Sequence, residues 1–503
     1  MGLPDRINSV DNTSMNQSKN QIRILERELA FLQRRCRELK IPILIVFEGY
    51  NGSGRGTMIN RVIQPLDPRG YRVSCITTPT QDEQMRPSLW RFWMRIPSEK
   101  CIAIFDRSWY WNVLDESIFG KLDKAGLSRA YKEVITFEEQ LNDSNVVIFK
   151  FFLEISEQEQ EARLEKLRNN PITAWRTSDN TPFRHYDYNE YKKAAKAMIT
   201  TTDLPSSPWK VLNTDHVPSE TAAILGHLVD VLRNHTEGLV NLSPTTASLP
   251  ERVLPSFDRA PDLESVDLSK RLKKNTYRQL LAQHQKRVSE LHHEIHKLRI
   301  PVVIVYEGWD ASGKGGSIRR LTQEMDPRGY EVVPTSAPNE TEKIHHYLWR
   351  FYKRFPRAGH VTIFDRSWYG RVLVERVEGF CEKTDWQRAY GEINTMEEIF
   401  SHFGTVVVKF WIHIDKQEQE RRFKARETTP FKRWKMTDED WRNREEWDSY
   451  EQAVNEMFLR THTPHAPWIA VEGNCKRHAR IKTLEVVIKA IETKIAEVAN
   501  HNA

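Results

Sequence analysis

The chain has 503 residues, 39% of them hydrophobic and 29% charged, with a formal net charge of +6. That length is too great for one ordinary core and predicts two domains, while the lack of any run of about 18 apolar residues argues against a membrane-spanning helix. The small positive balance fits an anionic partner without requiring nucleic acid.

The first segment, Met1–Lys19, is polar and has no apolar signal-peptide core, which predicts a cytoplasmic protein. Five widely spaced cysteines without a C-x-x-C pair agree, and suggest neither a disulfide framework nor a zinc site. Gln21–Lys40 has the spacing of an amphipathic helix, and the apolar run Ile43–Phe47 after it reads as a buried strand. Further along, Ile104–Tyr110 spells IFDRSWY, and the same seven residues return 259 positions later at Ile363–Tyr369. One offset also relates Gly49 to Gly308, Asp67 to Asp326, Lys150 to Lys409, Trp175 to Trp434 and Trp209 to Trp468. A period that long means two copies of a whole domain rather than a solenoid. Between the copies, Pro244, Pro250, Pro255 and Pro261 punctuate a stretch that cannot continue a helix. The predicted domains are 20–240 and 269–503, joined by a linker over 241–268.

The second copy opens like the first, with a helical pattern at Tyr277–Arg299 and an apolar run at Val302–Tyr306. Later runs at Val361–Phe364, Val406–Ile412 and Trp468–Val471 alternate with helix-length segments. The predicted fold is α/β, a parallel sheet in each copy with helices on both faces and a helical lid.

Directly after Val302–Tyr306 comes Gly308-Trp309-Asp310-Ala311-Ser312-Gly313-Lys314-Gly315-Gly316, a G-x-x-x-x-G-K loop. Strand, glycine loop and helix follow in the order a phosphate cradle needs: glycines let N–H groups curl around phosphate oxygens, and the lysine adds a point charge. Gly315 stands where Ser or Thr commonly helps hold magnesium, so Asp310 is the candidate replacement ligand. Asp365, ending the run Val361–Phe364, is the second metal candidate, with capping of the next helix as the alternative. The fork of Arg366 suits phosphate oxygens, and a salt bridge to a nearby carboxylate is its alternative.

From Lys416 to Arg444 there are ten Lys/Arg and six Asp/Glu, whereas the matched window Glu157–His185 has five of each. A basic lid about residues 416–450 is therefore expected in the second copy alone. Trp434 is matched by Trp175, so packing explains it as well as base stacking, and His413 reads as a structural histidine.

Taken together, Glu307–Arg320, Asp326–Tyr330, Leu348–Phe351, Ile363–Val377 and Phe431–Trp441 resemble the phosphate-loop, Walker B and lid motifs of the polyphosphate kinase 2 family, tandem-domain polyphosphate:AMP phosphotransferases included. The resemblance implies transfer of the terminal phosphoryl group of inorganic polyphosphate to AMP, with Mg2+ or Mn2+. It implies catalytic roles for Asp310, Lys314, Asp365 and Arg366, and phosphate or nucleotide binding by Arg371, Glu375, Lys432, Arg433 and Lys435. With a small net charge and no membrane-length apolar run, no nucleic-acid or membrane partner is expected, and homo-oligomerisation stays open. The first copy departs from the pattern with Asn51 for Asp310, Arg55 for Lys314 and Trp111-Asn112 for Gly370-Arg371, and is expected to be non-catalytic. An ATP-dependent kinase shares every loop feature, and a polyanion-binding scaffold is the non-enzymatic alternative.

Overall fold

The computed structural model describes residues 7–172, 174, 187–214, 217–241, 255–428 and 438–501. The chain folds as two compact units. One gathers 1–80, 88–248 and 340–346, the other 81–87, 249–339 and 347–503.

In the second unit the valine-rich run becomes strand β6 (Val302–Gly308), nearly all of it buried. Its neighbours are β8 (Val361–Asp365) and β9 (Val406–His413), with β7 (Tyr330–Pro334) and β10 (Trp468–Glu472) at the edges, in the order β10-β9-β6-β8-β7. All pairings are parallel, with Val302 opposite Val361 on one side and Val406 on the other. β-Branched residues suit a strand buried on both faces, and parallel strands require helical crossovers that cover those faces. On one face, helices Lys274–Leu298, Lys314–Thr322 and Lys476–His501 bring Leu291, Ile295, Leu321, Leu484 and Val487 onto Ile304 and Ile363. Each fully buried aliphatic contributes roughly 1.5–3 kcal/mol. Helices Lys383–His402 and Trp447–Thr461 bury Ile393, Met396, Met457 and Phe458.

The first unit repeats this architecture with β1 (Ile43–Gly49), β2 (Tyr71–Cys75), β3 (Ile102–Asp106), β4 (Val147–Glu154) and β5 (Trp209–Asn213), in the order β2-β3-β1-β4-β5. The α/β class with two parallel sheets agrees with the expectation. The edge strands β2 and β7 have no counterpart in the sequence reading. Mostly exposed, they lack an apolar run to announce them.

Part of the proline-rich segment belongs to the second unit. Residues 242–254 lie outside the described part, but beyond them Phe257 N donates to Leu459 O at 3.0 Å and Leu263 is buried. Lys270 pairs with Glu472 at 3.0 Å. Among the described residues, no helix is long and apolar enough to cross a membrane.

Candidate active site

The phosphate loop leaves the C-terminal end of the central strand, where open parallel sheets bind ligands. Gly308 has φ 139°, and a Cβ there would lie 2.5 Å from the Ile412 carbonyl oxygen of the neighbouring strand. Gly313, at φ 118°, turns the chain into the Lys314–Thr322 helix. Gly308→Ala is therefore expected to destabilise the second unit by about 1–3 kcal/mol, read as a lower midpoint in thermal unfolding.

Lys314 folds back on its own loop, donating to the carbonyls of Gly308 at 2.5 Å and Trp309 at 3.2 Å. Burial, and next the Arg366 guanidinium, lower its pKa against the pull of Asp310, Asp365 and Glu307. The Asp310 carboxylate accepts from Arg366 at 2.6 Å through one oxygen and from Asn443 Nδ2 at 3.0 Å through the other. Burial acts most strongly to raise its pKa, but Arg366, Lys314 and Asn443 together hold it below the usual carboxylate value. Asp365 ends β8, and its carboxylate makes no hydrogen bond or ion pair among the described residues. Ser367, not Asp365, caps the following turn by accepting from Tyr369 N. Arg366 sits at φ 63°, a left-handed conformation that costs a non-glycine residue free energy, as does Ala311 at φ 61°.

Beneath the loop, buried Glu307 accepts from Ser367 Oγ at 2.8 Å, and burial raises its pKa. The Ser312 hydroxyl is buried with no hydrogen-bond partner among the described residues. Gly315 and Gly316 open the helix: nothing stands within 4 Å of a Cβ placed at Gly315, and the Arg480 guanidinium lies 3.2 Å from one at Gly316. Arg371 and Glu375 pair with each other at 3.1 Å, with Arg371 over the Tyr347 ring. No hydrogen bond or ion pair joins this pair to Asp310, Lys314 or Asp365 among the described residues.

The basic stretch is not a uniform exposed lid. Arg422 is buried and donates to the carbonyls of Ala311, Ser312, Gly473 and Asn474 at 2.5–3.2 Å, so it braces the loop instead of meeting ligand. Phe423, Trp447 and Tyr450 are also core residues. Lys432, Arg433, Trp434 and Lys435, and Trp175 of the other copy, lie outside the described residues. The helix Asp438–Glu445 that follows reaches the site through Asn443, a residue without charge or aromaticity to signal it in the sequence. Trp447 stacks face to face on Trp309, ring centroids 3.8 Å apart, and Trp309 Nε1 donates to His413 Nδ1 at 3.0 Å. His413 therefore has a structural partner, and burial takes its pKa down to about 4, keeping the ring neutral.

In the first unit the same backbone carries different chemistry. Arg55 takes the two carbonyl contacts of the lysine, Gly49 O at 2.6 Å and Tyr50 O at 3.1 Å, and its Nε also pairs with Asp106 at 2.8 Å. Asn51 accepts from Arg107 at 2.9 Å where the second unit has the Asp310–Arg366 ion pair.

A family model described as polyphosphate kinase 2 (PPK2) matches residues 12–238 and again 271–499. The chain is 38% identical over 488 residues to a polyphosphate:AMP phosphotransferase of Pseudomonas aeruginosa, covering 96% of this chain and 97% of that protein. It is 32% identical over 484 residues to one of Acinetobacter johnsonii, covering 95% and 97%. Its fold is similar to the crystal structure of a putative polyphosphate kinase 2 from Pseudomonas aeruginosa, with a TM-score of 0.83 and 37% identity, over 96% of this chain and 97% of that one.

Proposed function

We infer the activity from the fact that this chain belongs to the polyphosphate kinase 2 family: it moves the terminal phosphoryl group of inorganic polyphosphate to AMP, giving ADP and a polyphosphate one unit shorter. The observation that carries this reading is near-full-length similarity to named polyphosphate:AMP phosphotransferases, combined with an intact Asp310, Lys314 and Asp365 in the second copy.

An AMP phosphate oxygen attacks the terminal phosphorus, and the P–O bond to the remaining chain breaks. The nucleophile is already ionised near neutral pH, so no general base is required and catalysis reduces to alignment and charge neutralisation. Lys314, released from its two loop carbonyls, supplies a cation to the transferring group. Arg366, 44% exposed along its side chain, offers a second cation from the strand end. Loop N–H groups and the helix start hold phosphate oxygens.

The donor set at the loop fits Mg2+, with Mn2+ as the alternative, and Asp310 and Asp365 would hold it. Among the described residues no cluster of three or more His, Cys, Asp or Glu converges. Two carboxylates suffice for Mg2+, which keeps waters and takes its remaining oxygens from substrate phosphates. When bound, the cation neutralises charge on the donor phosphates. Asp365 is well placed for this, since its carboxylate makes no hydrogen bond or ion pair among the described residues. Asp106, its counterpart, is tied to Arg55, which supports one catalytic site per chain, in the second copy.

Purified protein supplied with AMP and Mg2+ is expected to form ADP with polyphosphate and not with ATP as donor, measured by nucleotide chromatography. ADP formation is expected to stop in excess EDTA and to return with Mg2+. Activity that persists in EDTA, or a phosphorylated enzyme that passes its phosphate to AMP, would overturn the mechanism.

A further inference from the structure

The helix that follows β10 begins Lys476-Arg477-His478-Ala479-Arg480, whereas the matched positions of the first copy read Val217-Pro218-Ser219-Glu220-Thr221. In this stretch three formal positive charges replace a negative one. Cations in a first helical turn oppose the helix dipole, and two like charges four residues apart repel, each at a cost of tenths of a kcal/mol. The first copy makes the favourable choice there, with Glu220 in its first turn. A local rule broken in one copy alone calls for a ligand that offsets the cost.

The place of this turn identifies the ligand. Arg422 bridges the carbonyls of Ala311 and Ser312 to those of Gly473 and Asn474, so the phosphate loop and the start of this helix are neighbours. The Arg480 guanidinium lies against Gly316, in the helix that the loop opens. No ion pair neutralises the group: Lys476, Arg477 and Arg480 form none among the described residues, Glu418 is already paired with Arg421 and Arg422, and Glu472 is engaged by Lys270, His478 and Lys482. Lys476 is exposed, yet partial desolvation and then the Arg422 charge, joined by Arg421 and Arg480 and opposed by Glu418, bring its pKa down to about 8. Cations crowded together with no ion-pair partner of their own among the described residues suit an anion.

We propose that Lys476, Arg477 and Arg480 form a track for the polyphosphate chain beyond its reacting end, guiding the unreacted phosphates past the phosphate loop along the start of the C-terminal helix. The proposal rests on the donor assigned above. A nucleotide monophosphate is too short to need such a run of charge, whereas a linear polyanion gains a contact with each successive phosphate.

The test replaces the track by the residues of the other copy, Lys476→Val with Arg480→Thr, and adds Arg477→Ser in a triple variant. Full-length protein is titrated with fluorescently labelled long-chain polyphosphate, followed by anisotropy at several salt concentrations, with unlabelled tripolyphosphate and a labelled single-stranded oligonucleotide as comparisons. Circular dichroism confirms folding. The expected result is a Kd for long-chain polyphosphate raised on the order of tenfold, a salt dependence shallower by about one to two ions, and a much smaller change for tripolyphosphate. In turnover the KM for long chains should rise while that for AMP stays within about twofold. An unchanged Kd for long chains, an equal loss for tripolyphosphate, or an oligonucleotide bound as tightly with the same dependence on the track would each overturn the proposal. If wild-type protein binds long chains through these residues yet makes no ADP, the assigned reaction fails and the track stands. If it makes ADP and the variants bind as wild type, the reaction stands and the track fails.

Discussion

Lys314→Ala and Asp365→Ala are each expected to lower kcat on the order of 10³-fold or more at saturating AMP and polyphosphate, because both charges act on the transferring group and are worth most in a site that excludes water. Arg55→Ala and Asp106→Ala are expected to cost far less. The difference follows from geometry. Arg55 repeats the lysine's contacts with its own loop and then spends its third interaction on Asp106 at 2.8 Å, so cation and carboxylate in the first copy neutralise each other. In the second copy, among the described residues, Lys314 donates to its two loop carbonyls alone and the Asp365 carboxylate has no hydrogen-bond or ion-pair partner. The four variants should be compared with wild type by ADP formation, with thermal unfolding as the control for fold. Halving of kcat by Arg55→Ala, with Lys314→Ala leaving the other half, would establish two independent sites and overturn this reading.

Removing one member of the fully buried Lys409–Glu397 pair is expected to destabilise the second unit by about 3–5 kcal/mol, because the remaining partner is left charged in the core. Lys409 donates to Glu397 at 2.7 Å, Tyr369 Oη at 2.8 Å and Thr461 O at 2.8 Å, and Trp368 Nε1 and Tyr369 Oη donate to the other oxygen of Glu397. All three donors of the ammonium and both carboxylate oxygens are thus satisfied. Burial lowers the Lys409 pKa while Glu397 raises it, so the partner keeps the charge affordable inside. Lys409→Ala and Glu397→Ala should each lower the unfolding midpoint sharply, whereas Lys409→Met with Glu397→Leu should recover part of the loss, since an apolar pair leaves no stranded charge. A single variant as stable as wild type would show that the pair is not load-carrying. The same network recurs as Lys150 with Glu138, Tyr110 and Thr202. This explains why Ser-Trp-Tyr appears in both copies although their loop chemistry differs: that part of the repeat serves the core.

The duplication, the strand–loop–helix at Gly308–Lys314 and the position of Asp365 at a strand end were legible in the sequence because each is local: repetition, hydrophobic periodicity and glycine spacing need no tertiary partner to be recognised. The substitutions Asn51 and Arg55 were legible for the same reason. Tertiary structure alone decided which cations meet ligand. Arg422 belongs to the basic stretch, yet its guanidinium is held by four backbone carbonyls, while Lys476 and Arg480, 50 residues or more farther along the chain, come beside the phosphate loop because the parallel sheet brings the ends of β6 and β10 to one edge. Asn443 gave no signal at all, since an uncharged amide becomes part of the site only when a distant helix sets it on Asp310. A sequence specifies which charges exist and how they are spaced along the chain; which of them remain unneutralised, and therefore free to hold phosphate, depends on distances between residues far apart in sequence that only packing fixes.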